Sequence, residues 1–323
     1  MTDVIRRSGI TVPFAGIPLH EHREWFELLE ARGYSDVSAG EAGAHDGFTP
    51  LVLAAVHAPS VRVSQSILPV YTRGPALLAQ SIASLCDVAP GRVAVGIGAS
   101  SDVIVGRWNG IPFDRPLARV RDTIRFLRAA LAGEKVTATY DTFSVSGFRL
   151  EVVPDAPPPI LVAALRPRML KLAGTEGDGA ILNWLAPNDV PRAAAEVGAA
   201  KELMCRMFVY PTDDFDLVRK YAARQINAYL NVPVYRAFQE WLGRANALAP
   251  MWDAWATGDR KRAIALVPDQ VVDELVVWGD AARLRAGVER YRERGVTTPV
   301  PMIMTNDPDA LRLAIDALAP TTT

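Results

Sequence analysis

Short apolar runs alternate with longer helical patterns along most of the chain, and this alternation constrains the fold more than any other feature. Apolar and β-branched runs predict strands at 8–12, 35–39, 61–68, 92–98, 160–164, 179–183, 203–209 and 298–304. Amphipathic or proline-started segments predict helices at 20–32, 48–58, 75–89, 114–132, 167–175, 188–199, 213–231 and 280–294, with a last helix at 307–319. Parallel strands need a crossover, and a helix is the usual one. Eight strands joined this way indicate an α/β fold. The count favours a (β/α)8 TIM barrel over a doubly wound open sheet, because closure leaves no edge strand.

Two segments interrupt the alternation. Residues 135–150, KVTATYDTFSVSGFRL, predict a hairpin before the fifth strand. Residues 229–268 form a longer insertion rich in aromatics: Tyr229, Tyr235, Phe238, Trp241, Trp252 and Trp255. Long insertions on a barrel serve as lids or oligomer contacts; a small helical subcore is the alternative. No composition break marks a linker, so 1–323 is expected to be one barrel domain carrying both insertions.

Composition narrows the function. Net charge is −1 with acids and bases interspersed, so neither a nucleic-acid footprint nor a polybasic membrane-binding helix is present. The first ten residues lack the apolar core of a signal peptide. No apolar stretch approaches the roughly 18 residues that cross a bilayer. Cys86 and Cys205 lie far apart in apolar surroundings and read as reduced, buried thiols of a cytoplasmic protein. His20, His22 and His57 match no metal spacing, and no Ser/His/Asp or Cys/His set is identifiable, which argues against a metalloenzyme and a covalent hydrolase.

In a barrel, chemistry sits where the strands end. After the second strand, SDVSAGEAGAHDGFTP brings Glu41, His45 and Asp46 to the mouth, as proton-handling groups or, for Asp46, as a helix cap. After the third, SILPVYTRGPALLAQ places Ser66, Thr72 and Arg73 between an apolar strand and a helix begun by Pro75. After the fourth, VAVGIGASSDVIVGRW offers Gly96 and Gly98 for close backbone approach by a ligand or for a bulge, then Ser100, Ser101 and Asp102. No third glycine completes a dinucleotide fingerprint. After the fifth, ILVAALRPRMLKLAG runs into a helix at Pro167 flanked by Arg166 and Arg168, either an anion site or an ordinary loop with solvated arginines.

Taken in order, GYSDVSAGE, VYTRGPALLAQSIASLCDVAPGRVAVGIGASS, NGIPFDRPLARVRDTIRFLRAALAGEKV and LRPRMLKLAGTEGDGAILNWLAP resemble the bacterial luciferase-like family. YTRGPALLAQ and GDGAILNW are more similar to its branch that uses the deazaflavin coenzyme F420 than to the FMN-using monooxygenases. The resemblance implies a TIM barrel, often dimeric, that transfers a hydride between F420 and a small organic substrate. It also implies a non-prolyl cis peptide at Ser66–Ile67 beneath the ring, with Thr72 and Arg73 near its polar edge. Gly98, Ser100 and Ser101 then fall at the fourth strand end, and Ala164, Leu165 and Arg166 in the phosphate loop. Ala42 and Ala99 occupy positions where dehydrogenases of the branch carry histidine and glutamate, so Glu41, His45 and Asp102 become the nearest proton-transfer candidates. An FMN-dependent monooxygenase and a non-catalytic cofactor-binding protein are the alternative readings.

Overall fold

A computed structural model describes residues 6–320. Eight parallel strands form the barrel: β1 Gly9–Thr11, β2 Asp36–Ala39, β3 Arg62–Gln65, β4 Val93–Gly98, β5 Ile160–Ala163, β6 Gly179–Asn183, β7 Glu202–Tyr210 and β8 Thr298–Ile303. Each pairs with the next in chain order. The seam between β8 and β1 is made by the Arg7 N–H, which donates to Thr297 O at 2.9 Å. Gly9 keeps that seam tight: a Cβ there would lie 3.1 Å from Val300 Cγ2. Both faces of the strands are covered, so they read as continuous apolar runs rather than alternating ones.

Between the strands lie α1 Arg23–Ala31, α2 Thr49–His57, α3 Pro75–Val88, α4 Pro116–Leu131, α5 Pro167–Thr175, α6 Val190–Val197 and α7 Phe215–Leu230. Proline opens α3, α4 and α5, where its missing N–H costs nothing. Asp214 caps α7 by accepting from the Leu217 N–H at 3.0 Å. The insertion after α7 folds as α8 Pro233–Trp241, α9 Ala245–Ala256 and α10 Arg260–Ala265, with α11 Asp269–Leu275 following it. The outer layer closes with α12 Ala281–Glu293 and α13 Pro308–Leu318.

Three details depart from the sequence expectation. The run 61–68 splits into β3 and a two-residue strand, Leu68–Pro69, which pairs with Ile97 and Gly98. A short strand at Val276–Trp278 pairs with the upper end of β7; three residues are too few to show a period. Residues 229–268 are both a helical subcore and part of the upper barrel wall. Leu248, Met251 and Trp252 pack with Phe208 and Tyr210 of β7, and the Trp252 indole N–H donates to Leu230 O at 2.9 Å. The expected hairpin is present as Val136–Thr139 against Ser144–Phe148. It packs on α4 through Phe126, whose ring lies 5.7 Å from Phe148.

The barrel interior is layered. At the N-terminal end Arg62 donates to both Asp36 and Glu202, the latter through two nitrogens at 2.5 and 3.0 Å. Thr298 Oγ1 adds a 2.6 Å bond to Glu202, and Ser35 Oγ a 2.8 Å bond to Asp36. Above this plug sits an apolar layer of Leu161, Ile181, Met204 and Val300, with Ile67 and Ala163 against it. The next side chains toward the C-terminal end are Asn183 on β6 and Arg206 on β7, register partners that leave the sheet on the same face.

Candidate active site at the barrel mouth

The break in β3 shapes one wall. The Ser66–Ile67 peptide is cis, as the resemblance implied. Gly96 of β4 is required by this wall, because a Cβ there would meet Gln65 O at 1.8 Å. The sequence leaves that close approach open between a ligand and a bulge; the close neighbour is the chain's own backbone. Ser66 Oγ and both amide atoms of Gln65 are buried without a partner.

Glu41 and Arg73, expected in separate roles, bond to each other. Arg73 donates to both Glu41 oxygens at 2.6 and 2.5 Å, and its guanidinium lies 5.0 Å from the Phe48 ring centre. The Gly47 N–H and Thr72 Oγ1 also donate to Glu41, at 3.0 and 3.3 Å. The Glu41 carboxylate is therefore committed to tying the β2–α2 loop to the β3–α3 turn. Asp46 caps α2, accepting from the Phe48 and Thr49 N–H groups at 2.8 and 2.9 Å. Burial opposes its charge, but the hydrogen bonds from Thr49 and Phe48 prevail and hold its carboxyl below the ordinary range. His45 is exposed on the same loop.

After β4, Ser100 adopts a left-handed conformation, and Ser101 Oγ accepts from the Ile104 N–H at 3.4 Å. A π-helical turn, Val103–Trp108, follows; such turns are frequent at functional sites. Asp102 begins it and faces Arg107 at 3.7 Å, the arginine exposed and the aspartate half-buried. Trp108 is 60% exposed and its indole lies over Gly43, across the mouth. At α5, Ala164 N–H bonds to Ile181 O, while Arg166 and Arg168 are exposed and enter no ion pair among the described residues. The start of α5 thus presents free N–H groups and two uncommitted cations.

The opposite wall carries residues that the sequence reading did not single out as site residues. Arg206 is half-buried, and its Nε is buried without a partner. Its guanidinium lies 5.3 Å from the Phe208 ring centre, with one nitrogen against the Met302 sulfur. Beside it, Asn183 Nδ2 donates to Tyr235 Oη at 3.4 Å, and Asn183 Oδ1 has no partner. Burial pushes the Tyr235 phenol up to about 12, so it stays a proton-bearing donor. Tyr235 comes from α8, which confirms that the insertion reaches the C-terminal face. Its ring packs on Tyr229, which in turn meets Trp184, stacked on Phe208 at 4.2 Å. The lone arginine inside the apolar strand ELMCRMFVY was the available signal.

Residues 5–298 match the family described as luciferase-like monooxygenase. The chain belongs to this family. It is 26% identical to the 5,10-methylenetetrahydromethanopterin reductase of Methanolobus tindarius, covering 87% of this chain and 89% of that one. Against the F420-dependent glucose-6-phosphate dehydrogenase of Mycobacterium avium it is 32% identical, over 49% of this chain and 52% of that one. The fold superposes on the coenzyme F420-dependent tetrahydromethanopterin reductase of Methanopyrus kandleri with a TM-score of 0.80 at 20% identity, covering 98% and 97% of the two chains. In this luciferase-like barrel the positions of Ala42 and Ala99 bring no acid or base to the mouth. Among the described residues no cluster of His, Cys, Asp or Glu is arranged to hold a metal ion, and no helix is long and apolar enough to cross a membrane.

Proposed function

We propose that this chain is an oxidoreductase that transfers a hydride between coenzyme F420 and a small organic substrate. Similarity to an F420-dependent dehydrogenase supports the cofactor class. The observation that carries the reading is the uncapped start of α5 with its two exposed arginines, unpaired among the described residues, together with a mouth whose buried Ser66 Oγ lacks a partner. These residues fit a phosphorylated, polar-edged cofactor. When bound, the deazaflavin supplies two-electron hydride chemistry.

Leu165 and Arg166 are the phosphate-holding residues in this reading, since the Ala164 N–H is already committed to Ile181 O. Ser66, Ile67, Gly98, Ser100 and Ser101 line the remainder of the cofactor site, and Thr72 and Arg73 frame it through their bonds to Glu41. Tyr235 donates its phenol proton to a substrate oxygen. Glu41 is a bracing group, which leaves the exposed His45 and the half-buried Asp102 as the rim candidates for exchanging protons with solvent. The aromatic wall keeps the reacting groups out of water. We also read the chain as one barrel domain that forms a cytoplasmic homodimer, a state that sedimentation checks.

Fluorescence titration at matched ionic strength tests the cofactor assignment. F420 should bind at least tenfold more tightly than FMN, a difference of roughly 1.4 kcal/mol. Arg166→Ala should weaken F420 binding by roughly 1–3 kcal/mol. Equal affinities, or tighter FMN, favour the FMN-dependent monooxygenase instead.

A further inference from the structure

Above the apolar layer, the inward rows of β6, β7 and β8 carry Asn183, Arg206, Phe208 and Met302. Arg206 is the one cation in these rows. It enters no ion pair among the described residues, and its buried Nε–H has no acceptor. A neighbouring acceptor, Asn183 Oδ1, is likewise buried and unpartnered. Leaving such groups unpaired costs stability, and a native protein retains them where a ligand completes them. The guanidinium also meets the Phe208 ring and the Met302 sulfur, neither of which neutralises charge.

We infer that Arg206, with Asn183 beside it, binds a carboxylate of the substrate, so that the substrate is an organic monoanion. One guanidinium balances one charge and presents paired N–H groups in the spacing of a carboxylate. Asn183 Oδ1 is placed to accept from a hydroxyl or N–H neighbouring that acid group. The Tyr235 phenol, held by Asn183 Nδ2 through its oxygen, keeps its own proton for a second oxygen of the same molecule. Arg206 is thus a specificity-determining residue. The inference rests on the oxidoreductase reading only for calling the bound anion a substrate.

Calorimetric titration with benzoate and its neutral isostere benzamide tests this, on protein with and without F420. Benzoate should bind at least tenfold more tightly than benzamide, and Arg206→Met should abolish the preference while the protein melts cooperatively. Arg206→Gln, which keeps polarity and drops the charge, should abolish it equally and replaces the methionine variant if that one does not fold. Equal affinity for the two probes, no benzoate binding at millimolar concentration, or a preference that survives both substitutions overturns the inference. A chain that binds FMN rather than F420 would fail the functional reading and leave this result standing.

Discussion

Arg62 and Arg206 face the interior of one barrel, from its two ends, and their surroundings are opposite. Arg62 is nearly enclosed and bonded to two carboxylates, themselves held by Ser35 and Thr298. Arg206 sits among Phe208, Met302 and Asn183, with a buried Nε that bonds to nothing. The first arrangement is complete within the chain. The second is complete only with something added. Barrels generally place stability at the N-terminal end and chemistry at the C-terminal end; here the division is written in hydrogen-bond satisfaction.

Breaking the lower arginine should therefore cost the most. Arg62→Met takes from Asp36 and Glu202 the cation they share, leaving only Arg7 at 3.4 Å from Asp36, and denaturant unfolding should show a loss of about 3–5 kcal/mol. A loss below about 1 kcal/mol would mean that water reaches the plug and that the contrast is false. The Glu41–Arg73 pair is intermediate in burial, at 15% and 18% side-chain exposure. Glu41→Ala should cost about 1–3 kcal/mol, with a coupling to Arg73→Ala in a double-mutant cycle. Independent effects of the two substitutions would free Glu41 for another role.

Of the two ends, the lower one carries the acid-sensitive carboxylate. Burial opposes the charge on Glu202, but its bonds from Arg62 prevail and hold its folded-state value below the ordinary 4.5. The stability this contributes is full above that ordinary value and is lost as pH falls through the lowered one. Glu202→Gln should flatten this acid limb of the stability curve, as chemical denaturation across pH would show. An unchanged limb assigns acid sensitivity elsewhere. Smallest of all should be the effect of Arg206→Met on folding: within about 1 kcal/mol, or stabilising, because no carboxylate is orphaned. A loss as large as that of Arg62→Met would make Arg206 structural.

All eight barrel strands and the helices between them were legible from periodicity and proline placement. The strand-to-helix turn at Arg166 was legible too, because a strand meeting a proline-started helix is a local pattern. The pairing of Glu41 with Arg73 was not, since 32 residues separate them. Nor was the meeting of Asn183, Arg206 and Tyr235. Each lies in a different segment, and register between β6 and β7, together with the path of α8, brings them together. Gly96 read as a point of close approach by a ligand or a bulge, because sequence shows a missing side chain without showing what fills the space.

The most direct measurement is anaerobic turnover: purified protein, reduced F420 and a panel of carbonyl compounds with and without a carboxylate, followed by the absorbance of reoxidised F420. The account predicts catalytic reoxidation without oxygen, fastest with the carboxylate-bearing members. Turnover only with reduced FMN and oxygen, or no reoxidation with any acceptor despite tight F420 binding, would contradict it.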